Sequence, residues 1–562
     1  MTLTLLFVAA VRFHLRSMPL ERDEGEYAYA GQLMLDGQPP YREVYNMKLP
    51  GTYAAYALIM ALFGQSPSGI HFGVMLVNLA SIVLVFLIGC RLHGELTGVT
   101  AAVSYGLLSL SPSLYGLAGH ATHFVVLAAL AGTLLLLSSV SLPHVLPEKE
   151  GEGKGRLRKS MVVTFLAGLL FGLAFLMKQH GVFFGIFGGV YLVWTFVAPR
   201  LARDDVRRRQ LSFTSYVSRF VLFSAGFVLP YALTCFILWH AGVFHQFYFW
   251  TVSYASKYAT SVPIRYMTIA LGVGLSNVVG PNILLWLLPW VGLVWGFVES
   301  PRTRVQSPES KVPHPRFFLV ALLLASIGSV SAGLAFRPHY FITMLPVMSL
   351  LSGVAVSRAW ELLQKSSAGK AHRGAQGIAA LGAPASGVVI AVFCLGVGAA
   401  IVGHSSVWFA APDKAEWNVY GTTCFTESAA VADYIKSQTS KDARIAVVGS
   451  EPEIYFLSHR RSATGYIYTY PLMEKQALAL QMQNEMLAEI ERNKPEYVVY
   501  VKDDLSWLPH RSSERKIFEW WDQYWAANLD LVNTVKIAQM GDENNPVPPE
   551  RYLLVLKRKP KG

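Results

Sequence analysis

The sequence predicts a mainly α, polytopic helical membrane protein that ends in a small α/β domain. Three observations predict it. Membrane-length apolar runs recur through residues 1–403, basic residues gather in alternate connections between them, and β-type runs begin only after residue 404.

Composition comes first. The 562 residues are 53% hydrophobic and 15% charged, with a mean hydropathy of +0.37. Soluble domains carry about 25% charged residues, so the shortfall points to a bilayer. A helix needs roughly 20 apolar residues to cross about 30 Å of hydrocarbon. About eleven runs approach that length, near 3–17, 70–90, 96–113, 120–141, 161–177, 180–197, 219–239, 279–298, 317–335, 340–360 and 385–403. The first is short. Arg12 and Arg16 lie toward its outer end and no small-residue cleavage site follows, which argues against a signal peptide.

The formal charge of +12 is explained by where the cations sit, and no nucleic-acid partner is implied. Lys149, Lys154, Arg156, Arg158 and Lys159 crowd the connection 142–160. Arg200, Arg203, Arg207, Arg208, Arg209 and Arg219 crowd 199–219. Further cations recur at 299–316 and 361–376. Each of these connections follows an even-numbered span, so the positive-inside rule puts them in the cytoplasm. The loop 18–50, the loop 240–265 and everything after 404 are then expected outside.

Cys90, Cys235 and Cys394 fall in spans, which leaves Cys424 alone in the outer region with no bridge to form there. No CxxC or HExxH spacing marks a metal site. After 404, "ARIAVVG" (443–449), "PEYVVYV" (495–501) and "RYLLVLK" (551–557) read as strands. The stretch 472–493 has helical periodicity and stops before Pro495. Their alternation predicts an α/β domain. "VVGSEPE" after the first strand is not a dinucleotide-binding glycine motif. Trp520 and Trp521 are expected to be core, with a sugar platform as the alternative.

The densest carboxylate cluster stands just outside the first run, in "ERDEGEYAYAGQLMLDGQPPYREVYNMKLPG" (21–51). Gly37, Pro39 and Pro40 would end a helix starting near Asp23. Tyr27, Ala30, Gly31 and Met34 make one apolar stripe at i, i+3, i+4, i+7, which suits a helix lying in the interface. Asp23 and Glu24 would sit at its positive end. "PGTYAAYALIMALFG" (50–64) opens with Pro, suits a helix start, and is short for a span. The bland reading of the stretch is an N-cap and a solvated acidic loop. The sharper one is a floor for a site at the membrane edge.

Here the residues carry a resemblance. Asp-Glu before a Tyr-rich helix, followed by Lys-Leu-Pro-Gly, resembles the first outer loop of the GT-C glycosyltransferases, in the protein-mannosyltransferase and aminoarabinose-transferase branch of bacterial type. "FLMKQHG" (175–181), "FRPHYFITMLP" (336–346) and "EPEIYFLSHRRSATGYIY" (451–468) resemble later segments in the same order. The resemblance implies a polyprenyl-phosphate-linked sugar donor, an acceptor hydroxyl on a lipid, glycan or protein, and a bacterial inner-membrane location. With the change of composition at 404, the expected domains are 1–403, with a first outer loop 18–69, and 404–562 on the outer, periplasmic side.

It also implies roles. Asp23 matches the family's catalytic acid, with Glu24 beside it, and a carboxylate there suits general-base work. Lys48 matches a phosphate-contacting lysine. Lys178 and Arg337 are expected at outer helix ends, where cations would stabilise a leaving lipid phosphate or simply snorkel to headgroups. Tyr27, His339 and Tyr340 are candidate substrate contacts. Where relatives often carry an acidic residue, this chain reads "GHATHFVV". His120 and His123 would there contact substrate or metal, or be ordinary interface histidines. No cofactor is required by these residues, and a divalent metal is left open. The aromatic stretch 246–259 reads as an interface anchor. A transporter or flippase would instead need ionisable groups at mid-span and matched broken helices. A non-catalytic scaffold would leave the acidic loop unexplained.

Overall fold

The computed structural model describes residues 1–141, 152–201, 213–259, 263–297, 310–369, 379–421, 423–538 and 550–560. Most of the basic connections, including Lys149, Arg203, Arg207, Arg208 and Arg209, lie outside the described residues. The chain divides into two compact units. One comprises Met1–Phe13, Val74–Thr234 and Val262–Ser405, and the other His14–Gly73, Cys235–Ser261 and Ser406–Gly562. A boundary at 404 therefore separates residues by composition, while the second unit also gathers two earlier stretches.

Among the described residues, nine helices are long and apolar enough to cross a membrane, from Pro67–His93 to Pro384–Gly403, and the chain is a multi-pass membrane protein. Two of the expected eleven runs form shorter helices. The first is α1 (Thr2–His14), and the other is Glu95–Leu108, which ends ahead of a 3₁₀ turn opened by Pro112. The run expected at 279–298 belongs to a longer span, Ile264–Trp295, interrupted by a 3₁₀ turn at Gly280–Asn282.

In the first unit, the Arg12 guanidinium of α1 is buried. It donates to Asn78 Oδ1 and to the carbonyls of Ser109, Gly116 and Leu117 at 2.6–3.2 Å. A buried cation is tolerated where oxygens surround it. Helices Glu152–Met177 and Phe213–His240 meet through glycines. A Cβ at Gly168 would lie 2.1 Å from the Phe223 carbonyl oxygen, and one at Gly172 2.3 Å from that of Phe227. Small residues at such crossings replace a hydrophobic drive that lipid cannot supply.

In the second unit, α2 (Arg22–Leu35) and α3 (Pro50–Phe63) pack together. The expected single apolar stripe on α2 is corrected here: Glu24 to Leu33 are all buried, and only Met34 of the stripe is half-open. Two partners enclose the helix. Gly31 lies against the α3 backbone at Tyr53 and Ala57, and Gly25 against the start of helix Glu453–Ser458, where a Cβ would come 2.6 Å from the Glu453 nitrogen. On α3, Leu58 and Leu62 remain exposed on the far face.

The α/β part holds a five-stranded sheet, ordered β2-β1-β3-β5-β4. β1 (Arg444–Val448), β2 (Arg461–Ser462) and β3 (Tyr497–Lys502) run parallel, while β4 (Leu529–Lys536) and β5 (Tyr552–Arg558) complete it antiparallel. The three expected strands are β1, β3 and β5. Trp521 is core, stacked on Tyr500 at 4.3 Å, and Trp520 is half-buried against Tyr524. In the 246–259 stretch Trp250 and Tyr254 are buried instead of facing lipid. Trp250 stacks on Tyr45, and the Tyr254 hydroxyl donates to Glu474 at 2.8 Å.

Candidate active site

The start of α2 is set by Glu21, not by Asp23 or Glu24 alone. Glu21 accepts from the Glu24 N–H at 3.0 Å, and Glu24 Oε2 accepts from the Glu21 N–H at 3.3 Å, a closed capping box. The other Glu24 oxygen lies 3.1 Å from His71 Nε2, and the carboxylate is fully buried. Glu24 thus serves the frame of the helix. Asp23, in the same first turn, faces elsewhere.

Asp23 Oδ1 accepts from Lys48 Nζ at 2.7 Å and from the Tyr468 hydroxyl at 3.4 Å. One turn further along α2, Glu26 Oε2 accepts from the same Lys48 Nζ at 2.7 Å, and Glu26 Oε1 accepts from the Tyr53 hydroxyl at 2.6 Å. Residues three apart on a helix share a face, so α2 presents both carboxylates to one ammonium. The loop before α3 delivers that ammonium: the Tyr41 hydroxyl donates to the Lys48 carbonyl at 2.7 Å, and Pro50 then opens the helix. Aromatic rings close the sides, with Lys48 Nζ 4.5 Å from the Tyr27 ring centre and 5.6 Å from that of Tyr468.

The electrostatics follow from burial and pairing. Burial alone would lower the Lys48 pKa, but the Asp23 and Glu26 carboxylates overcome it and hold the ammonium charged well above its ordinary range. Burial raises the Glu26 pKa against the opposing pull of Lys48. The Tyr468 phenol is pushed well up by burial and then by Asp23, so it stays a donor at neutral pH. Glu26 is fully enclosed, whereas the Asp23 and Lys48 side chains keep 19% and 22% exposure. Within this cluster Glu26 and Tyr53 are sealed, while Asp23, Lys48 and Tyr468 remain partly open.

Sequence reasoning missed Glu26, Tyr53 and Tyr468. Glu26 carried a usable signal, since it stands at i+3 from Asp23. Tyr468 carried none, being 445 residues away from its partner.

The first unit contains the other expected residues. Lys178 caps a 3₁₀ turn, Gln179–Gly181, and its Nζ lies 4.0 Å from the Tyr340 ring centre. His180 and His339 meet the same ring edge-on at 4.7 and 4.8 Å, and His339 stacks on buried His120 at 4.2 Å. Arg337, exposed, precedes the 3₁₀ segment Pro338–Met344 that carries His339 and Tyr340. Just before it, Leu334 and Phe336 hold positive φ of 55° and 43°, sparsely populated for bulky residues. His123 turns away from His120 to its own loop, its Nε2 3.1 Å from the Gly116 carbonyl oxygen.

Asp23, Glu24, Tyr27 and Lys48 thus belong to one unit, and Lys178, Arg337, His120, His123, His339 and Tyr340 to the other. As donor chemistry for a divalent cation, the former offers carboxylates and the latter imidazoles.

No protein-family profile and no curated protein matches this sequence. Solved structures do. ArnT from Cupriavidus metallidurans bound to undecaprenyl phosphate aligns at a TM-score of 0.54 and 15% identity, over 99% of this chain and 97% of that one. The archaeal oligosaccharyltransferase AglB from Archaeoglobus fulgidus, in complex with an inhibitory peptide and a dolichol-phosphate, aligns at 0.51 and 11% identity, over 90% and 69%. At such identities the likeness is one of fold, and it extends over nearly the whole chain.

Proposed function

We propose that this chain, which has the fold of the GT-C glycosyltransferases, moves a sugar from a polyprenyl-phosphate donor to an acceptor hydroxyl at the outer face of a bacterial inner membrane, with inversion. The observation that carries the reading is the partly open Asp23–Lys48 pair, 2.7 Å apart, at the start of a helix buried from Glu24 to Leu33. A carboxylate paired with an ammonium and reached from solvent suits general-base chemistry.

In this reading Asp23 takes the proton of the acceptor hydroxyl as its oxygen attacks the anomeric carbon. The bond from that carbon to the phosphate oxygen breaks, and its electron pair leaves with the lipid phosphate. One displacement gives one inversion. The leaving phosphate needs cations, since stabilising developing charge is the largest catalytic lever available to a protein. Lys48 has spent two of its three N–H bonds on carboxylates and keeps one for an incoming oxygen. Within the first unit, Lys178 on the Tyr340 ring and Arg337 are candidate contacts for a lipid phosphate. Glu24 supports Asp23 through the helix cap, and Tyr27 is a candidate substrate contact in the same unit; in the first unit, His120, His339 and Tyr340 are candidate contacts of their own. Neighbours of the same fold, solved with undecaprenyl phosphate and dolichol-phosphate, support a lipid-phosphate donor.

The test is sugar transfer from a panel of polyprenyl-phosphate sugars by wild type and Asp23→Asn in nanodiscs. Asn keeps the size and removes the base. Turnover by wild type, with a loss of about 10²–10⁴-fold in the variant and donor binding kept, is the expected result. Equal turnover would remove Asp23 from the mechanism. Failure of wild type to bind any polyprenyl phosphate would move the reading to transport of lipid-linked glycans or to a scaffold.

A further inference from the structure

Lys48 is held by two carboxylates, and only one of them is needed for an ion pair. Asp23 is partly open, while Glu26 is sealed, with both of its oxygens engaged: one by Lys48 Nζ at 2.7 Å, the other by the Tyr53 hydroxyl at 2.6 Å. Tyr53 itself is fully buried on α3 and has packed against Tyr27. Glu26 is therefore fixed from two elements, α2 and α3, and fixes the ammonium that arrives from the loop between them.

That arrangement matters when Asp23 changes charge. With Asp23 ionised, the group Asp23, Glu26 and Lys48 carries one net negative charge. Once Asp23 accepts a proton, its hold on Lys48 weakens, and without Glu26 a lone ammonium would remain in a largely buried place. Leaving a buried charge without its partner is strongly unfavourable. With Glu26 present, the protonated state is a neutral set in which Lys48 still has its ion pair. A nearby second carboxylate also favours proton uptake by the first.

We propose that Glu26 is a positioning residue that keeps Lys48 charged and in place while Asp23 takes up the acceptor proton, an inference that rests on Asp23 being the base. Glu26 does not touch the substrate. Its effect on the donor is electrostatic, because its charge opposes an incoming phosphate that Lys48 attracts.

The consequence separates this role from a merely structural one. Glu26→Gln keeps the shape and an acceptor for Tyr53 but removes the charge. Binding of undecaprenyl phosphate in nanodiscs is expected to tighten about three- to tenfold, by the loss of one like charge at a partly screened distance. Sugar turnover is expected to fall by about tenfold or more, since proton uptake by Asp23 is disfavoured. Glu26→Asp keeps the charge but is one methylene short, so the lipid Kd is expected to stay within about twofold while turnover falls.

Wild-type binding with no tightening in a folded Glu26→Gln overturns the proposal and leaves the transferase reading standing. Should Glu26→Gln not fold, Glu26→Asp decides: wild-type turnover in that variant overturns the proposal. A wild type that binds no polyprenyl phosphate overturns both. Binding that tightens as turnover drops supports it.

Discussion

Arg22, the residue immediately before Asp23, donates from Nη2 to Glu451 Oε1 at 2.9 Å. Its Nε reaches the Ser450 carbonyl at 2.5 Å, and its Nη1 reaches the Tyr470 hydroxyl. Ser450 and Glu451 follow β1, and Ser506, which donates to the other Glu451 oxygen at 2.7 Å, follows β3. The crevice beyond the carboxyl ends of parallel strands is where open α/β sheets take their ligands. In this unit Arg22 of α2 bonds to the residues at that end of the sheet.

Breaking that buried pair from one side should be costly. Glu451→Gln leaves the Arg22 guanidinium short of its charge partner, and one-sided loss of a buried pair costs about 3–5 kcal/mol. Thermal unfolding in detergent is expected to fall by roughly 3 °C or more. A midpoint within about 1 °C of wild type would mean that Arg22 does not anchor α2.

Stability should also decline toward alkaline pH. Burial, reinforced by Glu451, lifts the Glu453 pKa from 4.5 to about 8. The folded chain therefore keeps this proton to a higher pH than the unfolded chain does. The resulting stability is complete below about pH 4.5 and is lost as pH rises through about 8. Glu416, lifted to about 7 by burial, acts in the same direction. Unfolding midpoints at pH 6 and pH 9 should differ more in wild type than in Glu453→Gln, and equal differences would exclude Glu453 as a contributor.

Gly25→Ala tests the seat of α2. Its Cβ would come within 2.6–2.8 Å of Glu453 backbone and Cβ atoms, which cannot swing aside. Overpacking of this kind costs typically about 1–3 kcal/mol, and the variant is expected to lose thermal stability and sugar turnover together. Retention of both would show that helix Glu453–Ser458 shifts freely.

Tyr340 should matter through its ring. Replacing it by Leu removes the face beneath Lys178, a contact worth about 0.5–2 kcal/mol, and undecaprenyl phosphate affinity is expected to drop about two- to thirtyfold. Tyr340→Phe keeps the ring and should bind like wild type. If Phe and Leu are equally weak, the hydroxyl is what counts.

Much of this was legible in the residues because local rules governed it. The apolar runs and the strand pattern at 443–449, 495–501 and 551–557 needed only composition and period, whereas Asp23 and Lys48 were singled out by the resemblance of the first outer loop, and their pairing was not anticipated. What was hidden depended on distant partners. β4 leaves most of its residues exposed and so lacks the burial signature of its neighbours. The expected helix 472–493 is broken into Tyr470–Met473 and Ala479–Asn493, with Glu474 extended between them and its carboxylate taking the Tyr254 hydroxyl. The stripe on α2 suggested one buried face, yet its small and aromatic residues let two elements close on it. Tyr468 joins Asp23 only because the sheet brings the end of the chain back to its beginning.

The second unit is stitched from three stretches that synthesis delivers far apart in time. α2 leaves the ribosome early, with its carboxylates and Arg22 already present, but the strands and helix that seat it come last. Non-local closure of this kind is slow. During membrane insertion the nascent chain therefore holds Asp23 and Glu26 on an unseated helix. Assembly of the sheet then becomes the step that seats α2, and a chain interrupted before its final strands would be inserted without Tyr468 held against Asp23 and Lys48.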